Sequence, residues 1–227
     1  MIDLEHAPIS AKKMTEMVHS TVAASGGTCL PVVRSPSKGE EWVKWILDSG
    51  AKGIVIPMCT SPQQPKDAVS NARYANKGGR RSFGPFNAVY ASTDPASTIE
   101  TYMKSAEDIA VIVQIESKSG VEQAEEILKV PGVSACLVGP FDMRLTYDFP
   151  GGDGDEPEYL QALERVVAAG KANNVPVGTL AMTPEIQEKR LKEGFQFLLT
   201  TIDGLALEQG LKAALQGATG AARNAGA

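Results

Sequence analysis

Short apolar, β-branched runs recur along the chain with room for a helix between each pair, and this alternation restricts the fold more than any other feature. The runs are Thr28–Arg34, Gly53–Pro57, Ile109–Glu116, Ser134–Gly139, Val175–Ala181 and Phe195–Asp203. Most are apolar on both faces. A strand tolerates that only when both faces of its sheet are covered, so the runs predict a parallel sheet with helices packed on it. The segments Ile9–Ala24, Gly39–Ser49, Ser61–Tyr74, Ala96–Ala106, Gly120–Leu128, Pro157–Asn173, Pro184–Glu193 and Leu205–Ala222 supply those helices. Strand then helix, repeated without a break, gives an α/β fold that is either a (β/α) barrel or an open doubly wound sheet. No GxGxxG or GxxxxGK[ST] string follows any run, so the phosphate-binding glycines that would favour the open sheet are missing.

The beginning of the chain is unusual. Met1-Ile2-Asp3 has the character of a strand end, and the polar string Asp3-Leu4-Glu5-His6 already behaves like the loop beyond it. Six runs and this stub leave a barrel about one strand short of the usual eight. With 227 residues, no repeat and no linker, the chain is expected to form one domain over 1–227. Residues 204–222 would be a C-terminal helix and 223–227 a flexible tail. The net charge of −5, with no basic cluster beyond Lys12-Lys13 and Arg80-Arg81, argues against nucleic acid or an acidic membrane as the partner. No apolar run reaches the roughly 20 residues of a membrane helix and no leader pattern precedes the fold, so the expected compartment is the cytoplasm. Cys29, Cys59 and Cys136 lie far apart without metal or redox spacing and read as reduced core residues. His19, inside an amphipathic helix, reads as a surface residue.

Parallel β/α folds gather their reactive side chains at the carboxyl ends of the strands. Here those ends carry Asp3, Glu5 and His6, then Arg34, Pro57-Met58, Gln114 with Glu116, and Gly139-Pro140-Phe141-Asp142. Two carboxylates from consecutive strands, Glu116 and Asp142, suit Mg²⁺ or Mn²⁺, which take oxygen ligands and keep positions open for substrate. Taken singly, each acid reads equally well as a helix cap. Arg34 closes an apolar strand, where a guanidinium serves either to hold an anion or to pair with an acid at the rim. His6, three residues beyond Asp3, could be a carboxylate-oriented base. A Schiff-base mechanism would need a strand-end lysine, and Lys52 and Lys118 are poorly placed for that role.

Six strings together resemble the HpcH/HpaI aldolase/citrate lyase family. They are Asp3-Leu4-Glu5-His6-Ala7-Pro8, Pro31-Val32-Val33-Arg34-Ser35-Pro36, Leu47-Asp48-Ser49-Gly50-Ala51, Ile56-Pro57-Met58, Gln114-Ile115-Glu116 and Val138-Gly139-Pro140-Phe141-Asp142. The resemblance implies a TIM-type (β/α) barrel lacking its first strand, acting as a metal-dependent carbon–carbon lyase on a small 2-oxo acid such as pyruvate or oxaloacetate. It implies that Glu116 and Asp142 hold the metal and that Gln114, Gly139, Pro140, Phe141 and Asp142 line the substrate pocket. Arg34 would stabilise the enolate oxygen and His6, backed by Asp3, would act as acid/base. Asp48 would join the histidine across a subunit contact in a homo-oligomer, a trimer or hexamer. Oxaloacetate decarboxylation, as in macrophomate synthase, is the alternative activity, and a non-catalytic oligomer the alternative class. Arg81-Ser82-Phe83-Gly84, Pro85-Phe86-Asn87-Ala88 and Met143-Arg144 depart from the family strings, so Phe86, Asn87 and Arg144 are expected to reshape the pocket for the second substrate.

Overall fold

A computed structural model of the chain describes residues 1–90 and 92–225. Its strands are β1 (Ile2–Asp3), β2 (Val32–Arg34), β3 (Gly53–Ile56), β4 (Ala110–Ile115), β5 (Ala135–Val138), β6 (Val177–Leu180) and β7 (Phe197–Leu199). The helices between and after them are α1 (Ala11–Ala24), α2 (Glu40–Asp48), α3 (Gln63–Ala72), α4 (Phe86–Tyr90), α5 (Ile99–Ser105), α6 (Lys118–Glu122), α7 (Ala124–Leu128), α8 (Pro140–Thr146), α9 (Pro157–Ala172), α10 (Pro184–Lys192) and α11 (Asp203–Asn224). Every strand pairs in parallel with its sequence neighbour, in the order β1 to β7. The register runs through Val33↔Ile54, Val55↔Ile112, Gln114↔Leu137 and Val138↔Thr179. The result is a curled parallel sheet, as the alternation predicts, consistent with the (β/α) barrel lacking one strand that the resemblance implies.

Each strand is shorter than its apolar run because only the middle of a run enters the ladder. Cys29 falls in the stretch before β2, so it is exposed, against expectation, while Cys59 and Cys136 are free and buried. All four residues of β3 are buried, and β4 and β5 bury their carboxyl-terminal ends. One face of these strands, carrying Ile54, Ile56, Val111, Val113, Ile115, Cys136 and Val138, joins the core with Met14, Ile46, Leu47, Ile127 and Tyr159 from the helices. The expected helix over Gly120–Leu128 begins two residues earlier, capped by Ser117, and breaks at Gln123 into α6 and α7. Two short helices escaped the sequence patterns. The consequential one is α8, which starts at Pro140, where a proline at the first helical position loses no hydrogen bond.

His19 is half-buried rather than superficial, with its Nε2 3.1 Å from the carbonyl oxygen of Ser49. Helix α11 continues through Asn224, so the segment expected to be a tail from 223 begins helical, and residues 226–227 lie outside the described residues. None of its residues is buried, and Leu207, Leu211 and Leu215 are strongly exposed. Among the described residues, no helix is long and apolar enough to cross a membrane.

Candidate active site at the carboxyl ends of the strands

The strand ends β1, β2, β4 and β5 open into one cavity of about 750 Å³, whose lining includes Asp3, His6, Arg34, Gln114, Glu116 and the turn Gly139–Asp142. These are residues read as functional from the sequence, and the fold brings them together.

Glu116 leaves β4 almost fully buried, at 2% exposure. Its Oε1 accepts from the backbone N–H of Met58 at 2.9 Å, and its Oε2 accepts from the Gln114 side-chain amide. Burial pushes the Glu116 carboxyl above the usual range, and the nearby charges of Asp142 and Glu5 push the same way. Gly139 is required here: a Cβ would collide with the Glu116 carboxylate. Only a residue without a side chain lets the end of β5 pass this close to Glu116. Met58 sits at a positive φ of 50°, uncommon for a side chain of its size, and this turns its N–H toward Glu116.

Arg34 is clamped by Asp3. Its Nε donates to Oδ1 at 2.8 Å and its Nη2 to Oδ2 at 2.6 Å, the two-pronged geometry that gives a guanidinium–carboxylate pair its directionality. A weaker bond of 3.5 Å from Nη1 reaches the Gln114 Oε1 and so ties the clamp to the Glu116 side. The guanidinium holds the Asp3 carboxyl below its ordinary value despite burial, which works in the opposite direction.

Two expected assignments change at this point. His6 is not backed by Asp3: its Nε2 lies 3.7 Å from Glu5 Oε2, and the imidazole is largely exposed. Glu5, named at the end of the stub but given no role there, also reaches Arg34 Nη1 at 3.3 Å. Burial raises its carboxyl, and one of its oxygens is buried without a hydrogen-bond donor. Its place follows from the turn after β1, where the Glu5 backbone N–H donates to Asp3 Oδ1 at 3.0 Å and so keeps the two acids together. Asp48 does not join this cluster within the chain. It lies at the end of α2, by the amino end of β3, and accepts from Arg81 at 2.6 Å. Phe86 and Asn87 do not line the cavity, and Arg144 is buried against the loop that follows α8 rather than facing the pocket.

The donor set fits a hard divalent cation. A buried carboxylate faces two further acids, and two neutral N–H donors only partly offset that charge, so a cation would relieve the repulsion. Among the described residues no group of three His, Cys, Asp or Glu side chains is arranged to hold a metal ion. Glu116 and Asp142 with water in the remaining positions match the oxygen-rich, partly hydrated coordination that Mg²⁺ and Mn²⁺ accept.

The chain is similar to known proteins over most of its length. The family model for HpcH/HpaI aldolase/citrate lyase matches residues 1–209. The chain is 31% identical to the 2-keto-3-deoxy-L-rhamnonate aldolase of Escherichia coli K12 and 30% identical to that of Klebsiella pneumoniae, in each case over 93% of this chain and 76% of the relative. A crystal structure of an HpcH/HpaI aldolase/citrate lyase family protein from Burkholderia cenocepacia superimposes with a TM-score of 0.85 at 29% identity, covering 96% of this chain and 84% of the other.

Proposed function

The chain belongs to the HpcH/HpaI aldolase/citrate lyase family and is a carbon–carbon lyase of the aldolase type, and from that premise we propose that it makes and breaks the C3–C4 bond of a 4-hydroxy-2-oxo acid, with pyruvate as one product. The observation that carries this reading is the convergence of the Glu116–Asp142 acids and the Arg34–Asp3 clamp on one cavity.

Glu116 and Asp142 would hold Mg²⁺ or Mn²⁺. When bound there, the cation supplies Lewis-acid polarisation of the 2-oxo carbonyl. Arg34 keeps N–H groups beyond those spent on Asp3, and these stabilise the negative charge that gathers on the 2-oxo oxygen as the bond breaks. Backbone N–H groups at Phe141 and Asp142 receive the substrate carboxylate at the start of α8. His6 takes the proton of the C4 hydroxyl, through water, as that carbon becomes an aldehyde. A proton returned to C3 completes pyruvate. Gln114 restrains both halves, since it bonds Glu116 and Arg34.

The relatives' name suggests the first substrate to try. Cleavage of 2-keto-3-deoxy-L-rhamnonate between C3 and C4 yields pyruvate and lactaldehyde. The exposed leucines of α11 support a homo-oligomer, in which Asp48 would act from a neighbouring copy. Purified protein with Mn²⁺ and this substrate should release pyruvate well above a Glu116→Gln control, and a parallel reaction with oxaloacetate measures any decarboxylation. Pyruvate at the control level from every 4-hydroxy-2-oxo acid tried would sink the proposal.

A further inference from the structure

The turn that carries Phe141 and Asp142 is braced by the loop at 150–156, and this loop is tied down on two sides. Arg144, on the same helix as Asp142 and only 5% exposed, donates from Nη1 to the carbonyl oxygens of Asp153 at 2.9 Å and Gly151 at 3.5 Å. Its Nε donates to Glu156 Oε2 at 3.2 Å. From α10, Arg190, 1% exposed, pairs with Asp153. Both guanidiniums lie against the buried Tyr159 ring, 5.8 and 5.7 Å from its centroid, and the Tyr159 hydroxyl donates to Asp153 Oδ1 at 3.2 Å. A glycine-rich loop is ordinarily free to move. This one cannot lift without leaving the buried Arg144 guanidinium unpaired and taking Asp153 from Arg190, which would keep only Glu193.

The loop in turn rests on Phe141. Methyl groups placed at Gly151 and Gly152 would lie 3.6 and 3.9 Å from the Phe141 ring, so the loop backbone walls one side of it. Phe141 itself is 44% exposed and lines the cavity next to Asp142. We infer that residues 150–156 form a fixed wall that sets the position of the Phe141 ring, and through it the space left for the aldehyde, with Arg144 as the positioning residue. This rests on the aldolase reading above. The acids that hold the cation and the Arg34 clamp come from other elements or from the first turn of α8, so the wall governs the electrophile and leaves pyruvate activation alone.

Two reactions separate these roles. Exchange of the pyruvate methyl protons in D₂O with Mn²⁺ needs no aldehyde, whereas condensation of pyruvate with glycolaldehyde or lactaldehyde does. Arg144→Met should leave the exchange rate within about twofold of wild type while raising KM for the aldehydes about tenfold, with kcat little changed. In a Phe141→Ala background the same substitution should add nothing, because a coupled pair is not additive. Gly151→Val keeps both arginines and presses on the ring directly. It should reproduce the KM effect, and it decides the matter together with Phe141→Ala if Arg144→Met does not fold. Unchanged aldehyde KM, an exchange rate that falls in step with condensation, or an Arg144→Met effect undiminished without Phe141 each overturns the wall. Absence of exchange in the wild-type protein would instead count against the aldolase reading itself.

Discussion

Glu116 and Asp142 leave the middle of the sheet, whereas Asp3, Glu5 and His6 leave its edge. β4 has six residues and pairs with strands on both sides, while β1 has two and pairs with β2 alone. The central half of the site is therefore held by backbone ladders and by close packing, as the Gly139–Glu116 contact illustrates. The edge half is held by charge: remove Arg34, and Asp3 and Glu5 lose the cation they share. One mouth is thus built in two ways, rigid where ligands would be fixed and electrostatic where protons and oxygen charge would be managed.

Substitutions can break this division. Glu116→Gln should have the largest effect, reducing kcat/KM to below about one part in a thousand while the protein still folds, since the amide fills the same space without holding a cation. Calorimetric titration with Mn²⁺ would show the accompanying loss of binding; retained binding would assign the cation elsewhere. Arg34→Lys should lower kcat by about two to three orders of magnitude, because an ammonium cannot reproduce the two parallel bonds to Asp3. His6→Asn should cost about two orders in condensation and leave the melting temperature unchanged, since the imidazole is exposed and bonds nothing in the core.

The smallest expected effects are on stability, and they distinguish the halves by sign. The Glu116 carboxyl titrates above its unfolded value of 4.5, so without a cation its cost to the fold is relieved as pH falls through the raised value. Asp3 titrates below 3.8, so its contribution is present above that pH and disappears as pH falls through the depressed value. At neutral pH and without metal, Glu116→Gln should then raise the melting temperature and Asp3→Asn lower it, by a few degrees each on a scale of about 2–4 °C per kcal/mol. Shifts of the same sign in thermal melts would remove the contrast between centre and edge.

Much of this was legible in the chain. The alternation of apolar runs pointed to a parallel sheet of six strands and a stub, the family resemblance pointed to a barrel, and the strand ends named the polar residues that share the cavity. Partners were harder to foresee. His6 meets Glu5 rather than Asp3, because Asp3 is taken by Arg34 from the adjacent strand. Met58 acts through its backbone N–H, which leaves no trace in side-chain chemistry. Arg144 was expected in the pocket because Met143-Arg144 departs from the family string after Asp142, yet it points from α8 to the following loop, since residues two apart on a helix face different directions.

By itself the sequence determined the period of the elements and the order in which the acids and Arg34 reach the carboxyl end of the sheet. Both follow from local covalent geometry: alternate residues of a strand face opposite ways, and a run apolar on both faces must be covered on both. Only the tertiary structure decided which acid holds which cation, which glycine had to lack a side chain, and which loop walls Phe141. Those outcomes depend on distances between segments far apart in the chain, where a shift of a few ångströms exchanges one ion pair for another while the periodicity stays the same.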